Sequence, residues 1–239
     1  MPQKPLTIIQ FGTPPLDVRD THGEQSDWMK RALHDVDIPF NVVRPHENEA
    51  LPHPRETSGA VLTGSWSMVT DREPWSELTA EWIRQAMTAN LPMLGICYGH
   101  QLMAHALGGQ VGFHPKGREI GQHEIQLHRC VDDDPLLNGF GPGFLANLTH
   151  EQTVLAPPED AVVLGRSEHD ACQVLRYGSE ALSVQFHPEF DNALMSACLY
   201  RRRDIFESEG YDIASMIDSL KPTGHAREIL RRFAAGLTA

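Results

Sequence analysis

The sequence lacks the features that would tie it to a membrane, a disulfide framework or a nucleic acid. No apolar stretch in the 239 residues approaches the roughly 20 that span a bilayer, and the first residues lack the apolar core of a signal peptide. The four cysteines are widely spaced and include no C-x-x-C pair. A net charge of −12 is opposite in sign to the basic surface that nucleic-acid binding requires. We therefore expect a cytoplasmic protein that binds neither membranes nor nucleic acids.

The sequence also has little that indicates a metal or cofactor site. Its 13 histidines are scattered, and the closest pairs, His100/His105 and His123/His128, have a poor spacing for two ligands on one helix. No zinc-binding spacing of cysteine and histidine is present. We expect no metal and no organic cofactor.

What the sequence does contain is an ordinary globular composition, 41% hydrophobic and 22% charged, over a length that suits one domain. Strand-like and helical segments alternate, which predicts an α/β protein with a mostly parallel sheet and helices on both faces. The ligand site of such a sheet lies at the carboxyl ends of its strands. Strands are predicted over 6–11, 40–44, 60–63, 91–96, 124–127, 144–147, 171–176 and 181–185, and helices over 26–35, 74–90, 101–107 and 226–235, the last capped by Thr223.

A cysteine stands at the predicted turn between a strand and a helix. Cys97 follows an apolar run and lies between Gly95 and Gly99. The glycines permit a sharp turn and a close approach of neighbouring chain, as in the nucleophile elbow G-x-S-x-G. Such a turn places the sulfur beside a helix N-terminus, whose partial positive charge favours a thiolate. Taken alone, the pattern is equally typical of a small buried core cysteine.

A second motif favours the catalytic interpretation. His187 and Glu189 flank Pro188 at the end of another apolar run, and alternate residues of an extended segment point to the same side. A nucleophile needs a base, and the base needs a group that fixes its orientation. The tripeptide alone would be typical of a surface loop. Combined with the elbow, it predicts Cys97 as nucleophile, His187 as base and Glu189 as the orienting acid.

These two motifs resemble those of class I (triad) glutamine amidotransferases. The family's G-x-C-x-G-x-Q motif is matched by residues 95–101 and its H-P-E motif by residues 187–189. The chain is most similar to stand-alone members that resemble the glutaminase part of GMP synthase. The resemblance implies a three-layer, flavodoxin-like α/β/α sandwich, with one glutaminase domain over residues 1–239.

Two further segments resemble family motifs imperfectly. The turn Gly64-Ser65-Trp66 stands where the family usually has a form closer to Gly-Gly-Pro, and Thr149-His150-Glu151-Gln152 resembles its Ser-His-x-Asp segment. The resemblance implies two sets of site residues. Gly64, Ser65 and Tyr98 would form the oxyanion hole through their backbone, and Gln101, Thr149, His150 and Glu151 would bind the substrate.

The resemblance implies hydrolysis of glutamine to glutamate and ammonia through a thioester, and it leaves three functions open. The protein is a glutaminase acting alone or with an unidentified synthetase partner, a γ-glutamyl peptidase cleaving glutathione-like amides, or a non-catalytic regulatory or binding protein. An intact Cys/His/Glu set weighs against the last. The segment 114–121 resembles one found in stand-alone members, including γ-glutamyl peptidases. The run Arg201-Arg202-Arg203 predicts a solvent-facing helix surface.

Overall fold

The computed structural model describes residues 3–128 and 131–238. A nine-stranded sheet has the order β2-β1-β3-β4-β11-β10-β9-β6-β7, and β5 and β8 form a separate pair. The strands are β1 Leu6–Ile9, β2 Phe40–Val43, β3 Gly59–Leu62, β4 Met93–Ile96, β5 Gln110–Phe113, β6 Glu119–Leu127, β7 Gly143–His150, β8 Gln152–Ala156, β9 Val162–Arg166, β10 Val174–Tyr177 and β11 Ala181–Val184. The helices are α1 Leu16–His22, α2 Gln25–Ala32, α3 Pro74–Thr88, α4 Tyr98–Ala106, α5 Asn192–Arg201, α6 Arg203–Ser208, α7 Ile213–Asp218 and α8 Gly224–Gly236.

The centre of the sheet is parallel and one side of it is antiparallel. Strands β2, β1, β3, β4 and β11 run parallel, whereas β10, β9, β6 and β7 continue the sheet in antiparallel pairs. Strands β1, β3, β4 and β11 are fully buried because helices cover both faces, as parallel sheets require, whereas three of the four residues of the edge strand β2 are only partly buried. The predicted α/β fold is confirmed.

Two hydrophobic clusters form the two faces of the sandwich. On one face, Met29 and Leu33 of the α2 region and Leu230 and Phe233 of α8 pack against the sheet. On the other face, α3 and α4 pack against it, with Ile83 and Leu102 among the buried residues. A third cluster joins α1 and α2 to α5, α6 and α7 beside β6. The predicted three layers are therefore present, with an extra helical group on one side.

Several predicted elements differ from those of the structure. The strand predicted at 124–127 begins at Glu119, the one predicted at 171–176 begins at Val174, and β5, β8, β9 and α1 were not predicted. In α3, Trp82 is buried, whereas Leu78 is 70% exposed because it lies on the helix face opposite the sheet. Thr223 stands at the start of α8 but its side chain makes no capping hydrogen bond. No helix within the described residues has the length and apolar character needed to cross a membrane.

Candidate active site

The three predicted catalytic side chains lie at the same edge of the sheet. Strands β3, β4 and β11 are neighbours, and their carboxyl ends lead into Thr63-Gly64, Cys97 and the segment containing His187. This is where parallel strands of an open sheet place their ligand sites. Cys97, His187 and Glu189 line one pocket together with Gly64 and Tyr98.

The elbow at Cys97 is a tight, strained turn. Cys97 has φ 49° and ψ −98°, a conformation that non-glycine residues rarely adopt, and its N–H donates to the Val184 carbonyl at 2.9 Å. A Cβ on Gly95 would lie 2.6 Å from the sulfur of Met103, and one on Gly99 would collide with the Leu62 backbone. Both glycines are therefore required by close packing, which holds the thiol at the start of α4.

His187 is oriented by Glu189. Its Nδ1 lies 2.8 Å from Glu189 Oε1, and both residues are nearly inaccessible to solvent. Its Nε2 is buried and has no hydrogen-bond partner within the described residues, so this nitrogen remains for proton transfer. Burial alone would lower the pKa of His187, but the Glu189 carboxylate and Cys97 outweigh it and raise the pKa to about 10. The site favours an imidazolium beside the thiol.

The segment that carries His187 and Glu189 is fixed to β7. The His187 N–H donates to the Asn147 carbonyl at 2.9 Å, and Asn147 Nδ2 donates to the Phe190 carbonyl at 3.2 Å. On the opposite side, a Cβ on Gly64 would lie 2.8 Å from His187 Cε1. Glycine at position 64 thus leaves the imidazole room beside Cys97.

The backbone groups predicted as oxyanion donors lie in the same pocket. The Tyr98 N–H is the first of α4 and has no acceptor within the helix. The turn at Gly64 and Ser65 is anchored because Thr63 Oγ1 accepts from the Phe11 N–H at 3.0 Å. Ser65 Oγ accepts from the Ser67 N–H at 3.0 Å, which stabilises the turn. This bond uses the Ser65 hydroxyl and not the Ser65 N–H.

The histidine nearest to Cys97 in sequence is not placed to act as its base. His100 lies on α4, fully buried, with its Nδ1 2.7 Å from Ser183 Oγ of β11. Burial lowers its pKa to about 4. His100 is thus a neutral core residue.

The four residues predicted to bind substrate all line the pocket, but they do so in different ways. Gln101 Nε2 donates to the Gln152 carbonyl at 2.7 Å and to Gln185 Oε1 at 3.0 Å, which fixes its amide. His150 is held between the Gln152 carbonyl, 3.0 Å from Nδ1, and Glu119, 3.0 Å from Nε2. Thr149 and Glu151 flank it. The His150 ring therefore supports the pocket wall, while Glu151 is more open to solvent.

A pair of arginines beside Glu151 was not predicted. Arg118 Nη1 lies 2.6 Å and Arg202 Nη1 2.9 Å from Glu151 Oε1, and both guanidinium groups stack over Phe206. Arg118 also pairs with Glu209 at 2.7 Å. The prediction that the Arg201–Arg203 run faces solvent is wrong for Arg202, because the end of α5 folds against the pocket and Glu151 draws the guanidinium inward.

An aromatic wall extends from His187 to the rim of the pocket. The His187 ring stacks on Phe190 with centroids 4.1 Å apart, Phe190 meets Trp28 edge-on at 5.7 Å, and Trp28 meets Trp66 edge-on at 6.1 Å. Phe190 and Trp28 are 2% exposed, whereas Trp66 is 41% exposed. We call Phe190, Trp28 and Trp66 the aromatic wall.

One group of side chains could hold a metal ion. Ligand atoms of Glu119, His150 and Asp170 lie within 4.8 Å of one another, and all three residues are buried. All three already have hydrogen-bond partners: Glu119 bonds with His150, and Asp170 accepts from the Thr153 hydroxyl and from the Cys172 N–H. Burial opposes ionisation of Glu119, but its bond to His150 lowers its pKa overall. This network fits a buried ion pair, and the expectation of no metal stays a prediction.

Proteins similar in sequence include GMP synthases. The chain is 32% identical to the GMP synthase (glutamine-hydrolyzing) of Aeropyrum pernix over 179 residues, which are 74% of this chain and 33% of that protein. It is 29% identical to a GMP synthase (glutamine-hydrolyzing) subunit of Methanopyrus kandleri over 174 residues, covering 71% of this chain and 86% of that one. The chain thus spans only about a third of the longer relative.

Similar solved structures and a family model agree with one another. A glutamine amidotransferase from Thermotoga maritima matches with a TM-score of 0.76 and 22% identity, covering 96% of each chain. Another from Methylobacillus flagellatus matches with 0.75 and 24%, over 98% of this chain and 94% of that one. At these identities the likeness shows the fold alone. The sequence model of "Glutamine amidotransferase class-I" matches residues 17–202. The chain belongs to the class I glutamine amidotransferase family.

Proposed function

We propose that the protein hydrolyses the side-chain amide of glutamine through a thioester on Cys97. The observation that carries this proposal is the arrangement of Cys97, His187 and Glu189 at the ends of neighbouring strands, with Glu189 2.8 Å from His187 Nδ1. An arrangement of nucleophile, base and orienting acid is what acyl transfer requires. The strained elbow and its two tightly packed glycines hold Cys97 at the wall of the pocket.

In the first half of the reaction, the Cys97 thiolate adds to the δ-carbonyl carbon of glutamine. The N–H groups of Tyr98 and of the Gly64–Ser65 turn stabilise the developing oxyanion, each donor contributing about 2.7–4 kcal/mol. The C–N bond then breaks, ammonia leaves with a proton from His187, and Cys97 holds the glutamyl group as a thioester. His187 is suited to give this proton because its pKa is raised to about 10.

In the second half, a water molecule hydrolyses the thioester. His187, now neutral, removes a proton from the water as it attacks the thioester carbonyl. The C–S bond breaks, glutamate leaves and the thiolate is restored beside the imidazolium. Glu189 keeps the ring oriented in both halves. These steps use only side chains, backbone N–H groups and water.

The arginines beside Glu151 complete the proposal by recognising the amino-acid end of glutamine. A substrate with an α-ammonium and an α-carboxylate needs one negative and one positive partner. Glu151 offers the first, and Arg118 or Arg202 offers the second; Arg118 and Glu151 are each less than a quarter exposed. Charge-assisted bonds of this kind are stronger than neutral ones.

Ammonia released at Cys97 needs an acceptor if it is to be used in synthesis. The archaeal relatives are GMP synthases or subunits of them, and the matched part of the Aeropyrum protein is only a third of its length. We therefore include a synthetase partner in the proposal.

The test is to measure glutamate release from glutamine by the purified protein and by Cys97→Ala. A glutamine analogue carrying a diazo-ketone should add to Cys97, detected by intact mass and peptide mapping. Burial raises the pKa of Cys172 to about 11 and that of Cys198 to about 12, so both should stay unreactive thiols. Cys130 lies outside the described residues and serves as an internal comparison. Glutamate release or labelling that survives Cys97→Ala would refute the proposal. A well-folded wild-type protein with neither property would favour the non-catalytic alternative.

A further inference from the structure

The aromatic wall begins at His187, the residue proposed to protonate the leaving amine. This inference rests on the proposed function, in which the amine accepts its proton from His187 Nε2. The leaving group must therefore be on the imidazole side of the reacting carbon. The His187 ring stacks on Phe190, the inner end of the aromatic wall, with centroids 4.1 Å apart. The charged Arg118–Glu151–Arg202 group lines the same pocket but comes from other parts of the chain.

The surface of the aromatic wall is apolar. The Trp28 indole N–H donates to the His22 carbonyl at 3.0 Å, so its polar atom is already bonded and its ring presents carbon to the pocket. Phe190 has no polar atom. Val18 lies beside them and is also buried. Trp66 continues this surface outward with 41% of its area exposed.

Such a surface makes no favourable contact with ammonia, which is small and strongly hydrated. An apolar or aromatic substituent on the amine would gain from it, because burying apolar area and stacking on tryptophan are both favourable. Trp66 is especially informative because it stands on the turn that includes Ser65, next to the reacting carbonyl, and yet is left partly exposed.

We propose that the pocket accepts γ-glutamyl amides whose amine carries an apolar or aromatic group, which lies against Trp66 and Trp28. The reaction is the same acyl transfer: the amide C–N bond breaks, the amine leaves with the His187 proton, and water releases glutamate from Cys97. Glutamine is then the smallest amide that the site can accept, and Trp66 determines the preference among larger ones.

The experiment compares γ-glutamylbenzylamide with γ-glutamylmethylamide and glutamine in wild type, Trp66→Ala and Trp66→Phe. We expect kcat/KM for the benzyl amide to exceed that for the methyl amide by about 10-fold, the discrimination typical of one apolar subsite. Trp66→Ala should remove most of this ratio and Trp66→Phe should retain it. Because the ratio is compared between variants, the differing basicity of the two amines cancels. Leu78→Ala removes an exposed apolar side chain far from the pocket and should leave the ratio unchanged.

Acylation of Cys97 is also measured for every amide by intact mass spectrometry. The outcomes are distinguished as follows. An equal benzyl-to-methyl ratio in wild type and Trp66→Ala would overturn the inference, as would an equal loss for all three amides, which would show that Trp66 only shapes the Ser65 turn. Hydrolysis of glutamine alone overturns the inference and leaves the proposed function intact. Turnover of the benzyl amide without turnover of glutamine supports the inference and refutes the proposed glutaminase. If no amide acylates Cys97, both fail.

Discussion

The two sides of the pocket are built in different ways. The side proposed for catalysis, here the catalytic side, consists of short, buried groups held by steric contact: Gly64 lies against the His187 ring, and Gly99 lies against the Leu62 backbone. The side proposed to recognise the substrate, here the recognition side, consists of long side chains that remain partly exposed, with Arg202 32% and Trp66 41% accessible. Chemistry that depends on fractions of an ångström is placed on strand ends, whereas recognition is placed on loops and helix ends that can vary. Substitutions should therefore cause large losses of activity or stability on the catalytic side and smaller changes in substrate binding on the recognition side.

The largest effect is expected from the base itself. His187→Ala removes proton transfer in both halves of the reaction, whereas Glu189→Gln keeps a hydrogen-bonding group near Nδ1 and removes only its charge. By comparison with a serine protease triad, Glu189→Gln should retain about 10–100 times more kcat than His187→Ala. Both kcat values are measured under saturating glutamine, with melting temperatures as the control for folding. Equal losses at unchanged melting temperature would contradict this division of roles.

The steric character of the catalytic side can be tested through stability. Gly99→Ala introduces a Cβ against the Leu62 backbone, which cannot move aside as a flexible side chain can. We expect a loss of about 3 kcal/mol in the free energy of unfolding, at the upper end of the range for overpacking. The matched control is Gly224→Ala at the start of α8, where a Cβ would meet nothing within 4 Å. That change should alter stability by no more than about 1 kcal/mol. Urea unfolding of both variants gives the comparison, and equal effects would contradict it.

The same difference explains what could be predicted from the sequence. The elbow and the H-P-E segment are each a local pattern, and the two patterns taken together predict Cys97, His187 and Glu189. The aromatic wall joins Trp28 of α2, Trp66 of a turn and Phe190 after β11, and the arginines come from position 118 and the end of α5. No local pattern connects these positions, because only the fold brings them together.

The strand errors also have physical causes. The first half of β6 contains a buried glutamate, Glu119, and Gly121 at φ 98°, both of which are unfavourable signs for a strand. In the structure Glu119 is compensated by His150 at 3.0 Å, and a Cβ at Gly121 would collide with Met216. Compensation by a residue 31 positions away is not visible in the sequence around Glu119.

A smaller, graded effect is expected on the recognition side. Arg202→Gln removes one of the two charges proposed for the α-carboxylate and leaves Arg118 in place. Because Arg202 is partly exposed, we expect KM for glutamine to rise by about 10-fold, the loss of one charge-assisted bond, with kcat changed less than twofold. Arg203→Gln is the matched control, since Arg203 lies next in sequence and, within the described residues, pairs only with Asp204 and Tyr200, which are exposed. A fall in kcat at constant KM would place Arg202 with the catalytic groups instead.

The smallest expected effect is a change in a titration rather than in turnover. The pKa of His187 is raised to about 10, with burial opposing the shift and Glu189 and Cys97 producing it. A raised pKa means that protonated His187 stabilises the folded state fully below its unfolded pKa of about 6.5, and that this stabilisation is lost as pH rises towards 10. Cys97→Ser removes one of the two groups that favour the imidazolium, so the pKa of His187 should fall. The loss of stability should begin at about pH 6.5 in both proteins, but in Cys97→Ser it should be smaller in total and complete at a lower pH than in the wild type. NMR titration of the His187 ring protons, together with unfolding free energies from pH 6 to 10, measures both quantities. An unchanged His187 titration in Cys97→Ser would show that Glu189 alone holds the imidazolium, and that the thiol and imidazole are not coupled on the catalytic side.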